Sequence, residues 1–224
     1  MFLSVSSLAQ TGVNNKIAND KKYFVSDLQK QIDVLHYNLK FDLNSNDKVL
    51  KGVSTITAVK NNPNSDSEVE HEADIELNLY DNMSITSLKV NGKESEYFRN
   101  KNRVFIKANE ILSDTFKIEI VYNGTPKRSG FDGFVFGEVN GQSLVYNISE
   151  PIYASTWFPC DDDPADKALL DIEITNYSQF VSVSNGNLVD VETENDKKTY
   201  HYKTEYPIST YLVAVYSAPY KTFY

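Results

Sequence analysis

Residues 34–43 have the sequence VLHYNLKFDL, in which apolar and polar side chains alternate. The apolar residues on one side are Tyr37, Leu39, Phe41 and Leu43. A period of two is typical of a β-strand with one face in the core and the other toward solvent. The stretch therefore predicts a half-buried strand.

Similar alternation recurs along the rest of the chain, and no window after Val34 has the 3.6-residue apolar period of an amphipathic helix. About a dozen short strands in about 190 residues suit one large domain. The predicted fold class is all-β: a saddle-shaped sandwich of packed, mainly antiparallel sheets. We expect it to span residues 34–224, after an extended lead-in at 1–33. The other strand-like stretches are 53–59, 75–79, 116–122, 170–174 and 199–202.

Asparagine–glycine pairs supply candidate turns between these strands. Asn91-Gly92 has strand-like flanks, and this dipeptide favours the positive φ angles of a type I′ hairpin. Asn123-Gly124 and Asn185-Gly186 are predicted to form turns of the same kind.

Charge and composition disfavour several classes of function. The 224 residues contain 22 Lys plus Arg and 31 Asp plus Glu, for a formal net charge of −9. Such a surface repels phosphate backbones and anionic lipid headgroups, so we expect no nucleic acid partner. No segment reaches the roughly 20 apolar residues that a membrane span requires. Cys160 is the only cysteine, so no disulfide can form within the chain.

The first residues, MFLSVSSLAQTG, leave the cellular compartment open. Phe2–Leu8 is weakly apolar, and Ser7-Leu8-Ala9 resembles a signal-peptidase site, but a basic start is missing. The segment is either the remnant of an export signal or a disordered terminus. We expect an exported protein, periplasmic or secreted, with a cytoplasmic location as the alternative.

Two segments resemble metal sites. His71-Glu72 begins like the HExxH helix of zinc peptidases, yet the fifth residue is Ile75 and the segment continues into a strand pattern. Asp161–Asp163 and Asp166 offer the oxygen ligands that calcium prefers. Consecutive aspartates cannot all face one ion, so a capped turn is the favoured interpretation and calcium the alternative. No metal site is predicted in this chain.

The most informative segment is Asn147–Ile174, NISEPIYASTWFPCDDDPADKALLDIEI. An acidic residue, Glu150, precedes the cysteine of a longer motif by ten positions. The motif residues are Phe158, Pro159, Cys160, Asp162, Pro164 and Lys167. This pattern resembles the amino-terminal domain of the membrane alanyl aminopeptidase family, the zinc gluzincins that include leukotriene hydrolase. In that family an acid or amide stands ten residues before the Cys of Phe-Pro-Cys-x-Asp-x-Pro-x-x-Lys.

Two further stretches support the resemblance. Val183–Gly186 is similar to the family's Val-Ser-Asn-Gly, and Pro207–Leu212 is similar to its Pro-Met-Ser-Thr-Tyr-Leu. The matches extend over residues 34–216, nearly all of the predicted domain. The variants around Glu150 and Trp157 resemble those of family members from Bacteroidetes-type bacteria.

By this resemblance, Glu150 holds the family position that contacts the free α-amino group of the substrate, with Pro151 and Ile152 lining the first side-chain pocket. The alternative is that Glu150 pairs with a loop lysine or caps a turn. Two neighbours depart from the family pattern, because Ile148 replaces the usual Gln and Ser155 the usual Arg. We therefore expect the supporting contacts around Glu150 to differ from those of the family.

The resemblance also implies a partner domain. In the family, the saddle-shaped amino-terminal domain sits against a thermolysin-like catalytic domain, which holds zinc through HExxH. Two sequence motifs of that catalytic domain, GxMEN and HExxH, do not occur in residues 1–224. We expect this chain to hold no cofactor and to be inactive alone, while its parent hydrolyses amino-terminal residues from peptides. The expected partners are that catalytic domain and the amino terminus of the peptide.

Two structural expectations and two alternatives complete the interpretation. Residues Trp157–Cys160 are expected to form a buried aromatic–proline turn behind the site. An exposed apolar face is expected where the catalytic domain docks. A stand-alone β-sandwich for binding or adhesion remains an alternative, as does a domain of a scaffold protein whose zinc site has been lost.

Overall fold

The computed structural model of the chain describes residues 25–61, 73–108, 114–129 and 133–221. The signal-like segment and His71 lie outside these residues. Within them the chain is almost entirely β, which confirms the predicted fold class, and no helix is long and apolar enough to cross a bilayer. Short 3₁₀ turns cover Gln29–Gln31, Ala154–Thr156 and Thr210–Leu212. The strands are β1 (Ile32–Asn44), β2 (Val49–Lys60), β3 (Ile75–Asn78), β4 (Met83–Val90), β5 (Lys93–Glu94), β6 (Tyr97–Asn100), β7 (Arg103–Ile106), β8 (Thr115–Gly124), β9 (Gly133–Val139), β10 (Gln142–Ile148), β11 (Lys167–Tyr177), β12 (Val181–Ser184), β13 (Asn187–Glu194), β14 (Lys197–Lys203), β15 (Ile208–Ser209) and β16 (Val215–Ala218).

β1 follows the predicted alternation. Its buried residues include Tyr37, Leu39, Phe41 and Leu43. β1 pairs with β2 in antiparallel register and with β11 in parallel register, so neighbours cover both of its edges. This places the strand inside the largest sheet, with one face against the core.

Three sheets make up the described part of the chain. The largest runs in the order β13-β14-β11-β1-β2-β8-β4-β5, with β15 added beside β11. The second has the order β12-β16-β10-β9, and the third β3-β7-β6. Every pairing among the described strands except β1 with β11 is antiparallel, which confirms the mainly antiparallel architecture.

An aromatic cluster joins the large sheet to the four-stranded sheet. The Trp157 ring centroid lies 5.0 Å from that of Phe41 on β1 and 5.0 Å from that of Phe134 on β9. Phe158 packs 4.6 Å from Trp157 and meets the Tyr37 ring edge-on at 6.1 Å. Aromatic pairs at these spacings add about 0.5–1.5 kcal/mol beyond their buried area. The tryptophan is therefore fixed where the two sheets face each other.

β3 departs from the predicted half-buried alternation, because all four of its residues are buried. The polar members are satisfied by partners from other elements. Glu76 accepts hydrogen bonds from Arg103 Nη1 at 2.6 Å and from Ser26 Oγ at 2.7 Å. Asn78 forms an isolated antiparallel bridge with Cys160. A strand covered on both faces shows no clean alternation of exposure, whatever its sequence pattern.

The Asn91-Gly92 hairpin is confirmed, with φ angles of 50° and 80° between β4 and β5. The other two turn predictions are wrong. Asn123-Gly124 continues β8, where ladder pairing with β2 and β4 outweighs turn propensity, and a Cβ on the glycine would lie 2.2 Å from the Asn82 carbonyl oxygen. Asn185-Gly186 connects strands of different sheets rather than a hairpin.

Candidate functional site

Glu150 lies on a tight turn that follows β10. The backbone N–H of Tyr153 donates to the Ser149 carbonyl at 2.8 Å and closes the turn around Glu150, Pro151 and Ile152. The Glu150–Pro151 peptide bond is cis. Pro151 is exposed, whereas Glu150 and Ile152 are half-buried. Within the described part of the chain, no hydrogen bond or ion pair engages the Glu150 carboxylate, so this charged group is open to a ligand.

The residues before this turn are held by a buried hydrogen-bond network. Asn147 Nδ2 donates to the Val213 carbonyl at 2.7 Å, and Asn147 Oδ1 accepts from the Val215 N–H at 2.6 Å. Asn147 Nδ2 also donates to Ser149 Oγ at 3.1 Å, and the same hydroxyl accepts from Trp157 Nε1 at 3.1 Å. The end of β10 is thus fixed to the 213–215 backbone and to the aromatic cluster.

The predicted aromatic–proline turn is buried as expected. Trp157, Phe158, Pro159 and Cys160 all lack appreciable solvent exposure. Burial raises the pKa of the Cys160 thiol well above its ordinary value, which keeps the thiol protonated. Its Sγ donates to Asp162 Oδ1 at 3.5 Å. Cys160 therefore acts as a small buried side chain with one weak hydrogen bond.

Ser155 stands where the family usually has an arginine, and it supports Asp162. Its hydroxyl and its backbone N–H both donate to the Asp162 carboxylate. Burial raises the pKa of Asp162 from 3.8 to about 6, while the hydrogen bonds from Ser155 act in the opposite direction. A neutral donor thus holds this carboxylate in the absence of an arginine at this position.

Asp161 is 2% exposed, and each of its polar groups has a partner. Its Oδ1 accepts from Gln29 Nε2 at 3.3 Å and from the Asp163 N–H at 2.9 Å. Its own N–H donates to the Tyr37 hydroxyl at 3.1 Å, and its carbonyl accepts from Thr210 Oγ1 at 2.9 Å. Burial is the main cause that raises the Asp161 pKa from 3.8 to about 7.

Asp163 and Asp166 complete a capped turn, the favoured interpretation of this acidic run. Asp163 Oδ1 accepts from the Ala165 N–H at 2.9 Å, and the Asp166 N–H donates to the Asp163 carbonyl at 3.1 Å. The Asp166 carboxylate accepts from the Val34 N–H at 3.3 Å. Burial is again the largest cause that raises the Asp166 pKa to about 7.

These carboxylates do not converge on one point, because each faces a different partner. Among the described residues, no group of three His, Cys, Asp or Glu side chains could hold a metal ion. The donor sets in this part of the chain therefore fit neither calcium nor zinc. Two histidines, His36 and His201, are used elsewhere: each bonds through Nε2 to Asp171, at 2.8 Å and 3.1 Å.

The Peptidase M1 N-terminal domain family matches residues 34–212, a range that contains the whole Glu150 turn. The chain belongs to this family. Among similar curated proteins, aminopeptidase N of Lactobacillus helveticus is 28% identical over 183 residues, 80% of this chain and 20% of the relative. Leucine aminopeptidase 2 of Candida albicans is 29% identical over 192 residues, 82% of this chain and 28% of the relative. This M1 N-terminal domain thus spans less than a third of the length of these relatives.

Solved structures show the same fold. The M1 zinc metallopeptidase of Deinococcus radiodurans superposes with a TM-score of 0.72 at 22% identity, covering 84% of this chain and 42% of that one. Native leukotriene A4 hydrolase of Saccharomyces cerevisiae superposes with a TM-score of 0.68 at 20% identity, covering 84% and 29%. The predicted family resemblance is confirmed, while the Bacteroidetes-type origin stays a prediction.

The outer face of the four-stranded sheet carries exposed apolar side chains next to the Glu150 turn. Val183 on β12 pairs with Tyr216 on β16, and they are 42% and 39% exposed. Ile148, two residues before Glu150, is also exposed on β10, and Leu212 is exposed beside β16. This M1 N-terminal domain therefore has an apolar face next to Glu150, the residue predicted to bind substrate.

Sequence reasoning missed three of the residues that support the site. Gln29 lies in the predicted lead-in, yet it is buried and bonds Asp161 and Asn78. The sequence pattern assigns no supporting role to Asn147 or Ser149. The available signal was their polarity next to a run of apolar residues. A polar side chain that is buried there needs a hydrogen-bond partner.

Proposed function

We propose that this chain is the substrate-anchoring domain of a zinc aminopeptidase and that the Glu150 carboxylate binds the free α-amino group of the peptide. The carrying observation is the half-exposed carboxylate without a partner among the described residues, set on a turn whose flanks are fixed. The family membership supports the same role for this position.

The chemistry of a carboxylate suits this task. At neutral pH a peptide amino terminus is an ammonium group, and charge-assisted hydrogen bonds to a carboxylate are about twice as strong as neutral ones. An anion at one fixed position therefore selects the end of a peptide over its interior. It also sets the register in which the first peptide bond meets the catalytic groups, so one residue is released at a time.

Pro151 and Ile152 are proposed to line the pocket for the first side chain. Pro151 is exposed and Ile152 is half-buried on the same turn as Glu150. Apolar atoms beside the carboxylate that binds the ammonium favour apolar side chains at the first position of the peptide.

The catalytic domain is proposed to dock on the outer face of the four-stranded sheet. Val183, Tyr216 and Ile148 supply apolar area there, and β10 continues directly from this face into the Glu150 turn. Docking on this side would place the zinc centre of the second domain across from Glu150. Zinc, when bound in that domain, polarises the scissile carbonyl. The residues described here anchor and orient the peptide.

The test is substrate kinetics of the complete gene product with an aminoacyl anilide that has a free amino group. Glu150→Ala removes the carboxylate, so KM should rise by about 30-fold or more. Glu138→Gln, at an exposed acid on β9 of the same sheet, should leave KM unchanged. Equal KM values for the wild type and Glu150→Ala would contradict the anchoring role.

A further inference from the structure

The hydroxyl of Ser149 is the point where two separate parts of the fold meet. Asn147 reaches it from β10, and this asparagine is itself tied to the 213–215 backbone through two hydrogen bonds. Trp157 reaches it from the opposite side, with its ring held in the aromatic cluster. All three side chains are buried.

We propose that Asn147, Ser149 and Trp157 are positioning residues that set the location of the Glu150 carboxylate. The proposal rests on the proposed function of Glu150 as the anchor of the amino group. Ser149 immediately precedes Glu150, and its carbonyl closes the turn by accepting from Tyr153. Displacing Ser149 therefore displaces the backbone from which the Glu150 side chain projects.

Packing alone does not require these hydrogen bonds. The Trp157 ring packs against Phe41 and Phe134 in tilted arrangements, and a phenyl group could make such contacts. The indole N–H is the part that demands an acceptor, since a buried donor without one is costly. Ser149 supplies that acceptor, so the two residues act as a pair that fixes the chain just before Glu150.

A positioning role predicts a specific kinetic signature. Misplacing a binding group by a fraction of an ångström weakens substrate binding, so Ser149→Ala should raise KM about tenfold while kcat changes less than about twofold. The assay uses the complete gene product and a free-amine aminoacyl anilide. Ser149→Thr, which keeps the hydroxyl, should restore KM to within about threefold of the wild type.

A matched control separates positioning from general destabilisation. Ser182 is a buried serine of the same sheet, and its hydroxyl bonds to that of Ser217 at 2.9 Å. Ser182→Ala removes one buried hydrogen bond away from the turn. It should lower the melting temperature by less than Ser149→Ala, because the loss of the Ser149 hydroxyl leaves the buried Trp157 N–H without an acceptor, and it should leave KM unchanged. A KM increase of the same size in both variants would overturn the proposal.

A double variant shows whether Ser149 acts through Glu150. In a Glu150→Ala background, Ser149→Ala should add no further rise in KM, because no anchoring side chain is left to misplace. A further tenfold rise would overturn the positioning role alone. If Glu150→Ala itself left KM unchanged, the proposed function would fail first. Should Ser149→Ala not fold, Trp157→Phe removes the same hydrogen bond from the other side, and the same KM pattern is required.

Discussion

Glu150 and Asp161 belong to one continuous segment, yet the fold treats their carboxylates in opposite ways. Asp161 is 2% exposed and accepts hydrogen bonds from Gln29 and from the Asp163 backbone. Glu150 is half-exposed, and no described residue bonds to its carboxylate. The backbone next to each is held by hydrogen bonds.

The contrast separates a structural acid from a candidate binding acid. A buried carboxylate must be hydrogen-bonded or protonated, because burying an ionised group without partners is expensive. For a half-exposed carboxylate, the free-energy cost of lacking a partner in the protein is small. The Glu150 carboxylate thus has no partner among the described residues, whereas the Asp161 carboxylate accepts hydrogen bonds that stabilise the fold.

The largest expected effect concerns the tryptophan between the two ends of the segment. Trp157→Ala should reduce the free energy of unfolding by about 3–5 kcal/mol, because the ring is fully buried and contacts aromatic side chains from both sheets. Urea unfolding of the 224-residue chain measures this. Leu188→Ala, at an exposed position of β13, should change the stability by less than about 0.5 kcal/mol. A loss of under about 1 kcal/mol for Trp157→Ala would refute the packing role.

The pH dependence of stability should reveal the raised pKa of the buried Asp161. The Asp161 pKa is raised from 3.8 in the unfolded chain to about 7 in the folded one, so the folded state binds the proton more tightly. Stability must therefore fall as pH rises from about 4 to about 7. Each pKa unit corresponds to about 1.4 kcal/mol. Asp161 alone should thus lower the free energy of unfolding by about 2–3 kcal/mol between pH 5 and pH 8, and Asp162 and Asp166, whose pKa values are also raised by burial, add to the fall in the same direction.

Asp161→Asn provides the control for this slope, because an amide keeps the acceptor oxygen but cannot ionise. The variant should show a clearly flatter profile over the same window. Asp171 does not obscure the comparison: hydrogen bonds from the two histidines outweigh its burial and lower its pKa, so its own contribution is lost only below about pH 4. If the stability of Asp161→Asn fell with pH as steeply as that of the wild type, Asp161 would not be a source of the pH dependence.

Ser155→Ala should have a smaller effect. It removes a hydroxyl donor from the Asp162 carboxylate and should cost about 1–2 kcal/mol. The hydrogen bond stabilises the ionised form, which exists above a pKa of about 6. The loss should therefore be larger at pH 8 than at pH 5, as measured by urea unfolding at both values. An equal loss at both pH values would show that Ser155 does not act through the charge.

The smallest expected effect is at Glu150 itself. Glu150→Gln should change the free energy of unfolding by less than about 0.5 kcal/mol, because its carboxylate has no partner among the described residues. The same urea titration measures it beside Asp161→Asn. Destabilisation by more than about 1 kcal/mol would mean that Glu150 has a structural partner, and the contrast between the two acids would disappear.

Local pattern sufficed for some of these features and not for others. The alternation from Tyr37 to Leu43 predicted β1 because exposure on a sheet face repeats every second residue. The Asn185-Gly186 prediction was wrong because dipeptide preference says nothing about which sheet the following strand joins. The Gln29–Asp161 hydrogen bond joins residues 132 positions apart, so it depends on the tertiary fold.

The candidate site shows the same division. The motif spacing identified Glu150 and the buried Trp157–Cys160 turn through family resemblance. The roles of Asn147 and Ser149 emerge only when β10 lies beside the 213–215 segment and the indole of Trp157. Such contacts are set by the packing of sheets, and a pattern of single residues does not encode them.

The most direct test of the central claim compares two inhibitors that differ only in the amino group. Leucinamide and 4-methylpentanamide share a side chain and an amide, and their inhibition constants on the complete gene product isolate the contribution of the ammonium. For the wild type, leucinamide should bind about 100-fold more tightly, and in Glu150→Ala this advantage should shrink by about tenfold or more. An unchanged advantage in Glu150→Ala would show that Glu150 does not bind the amino group.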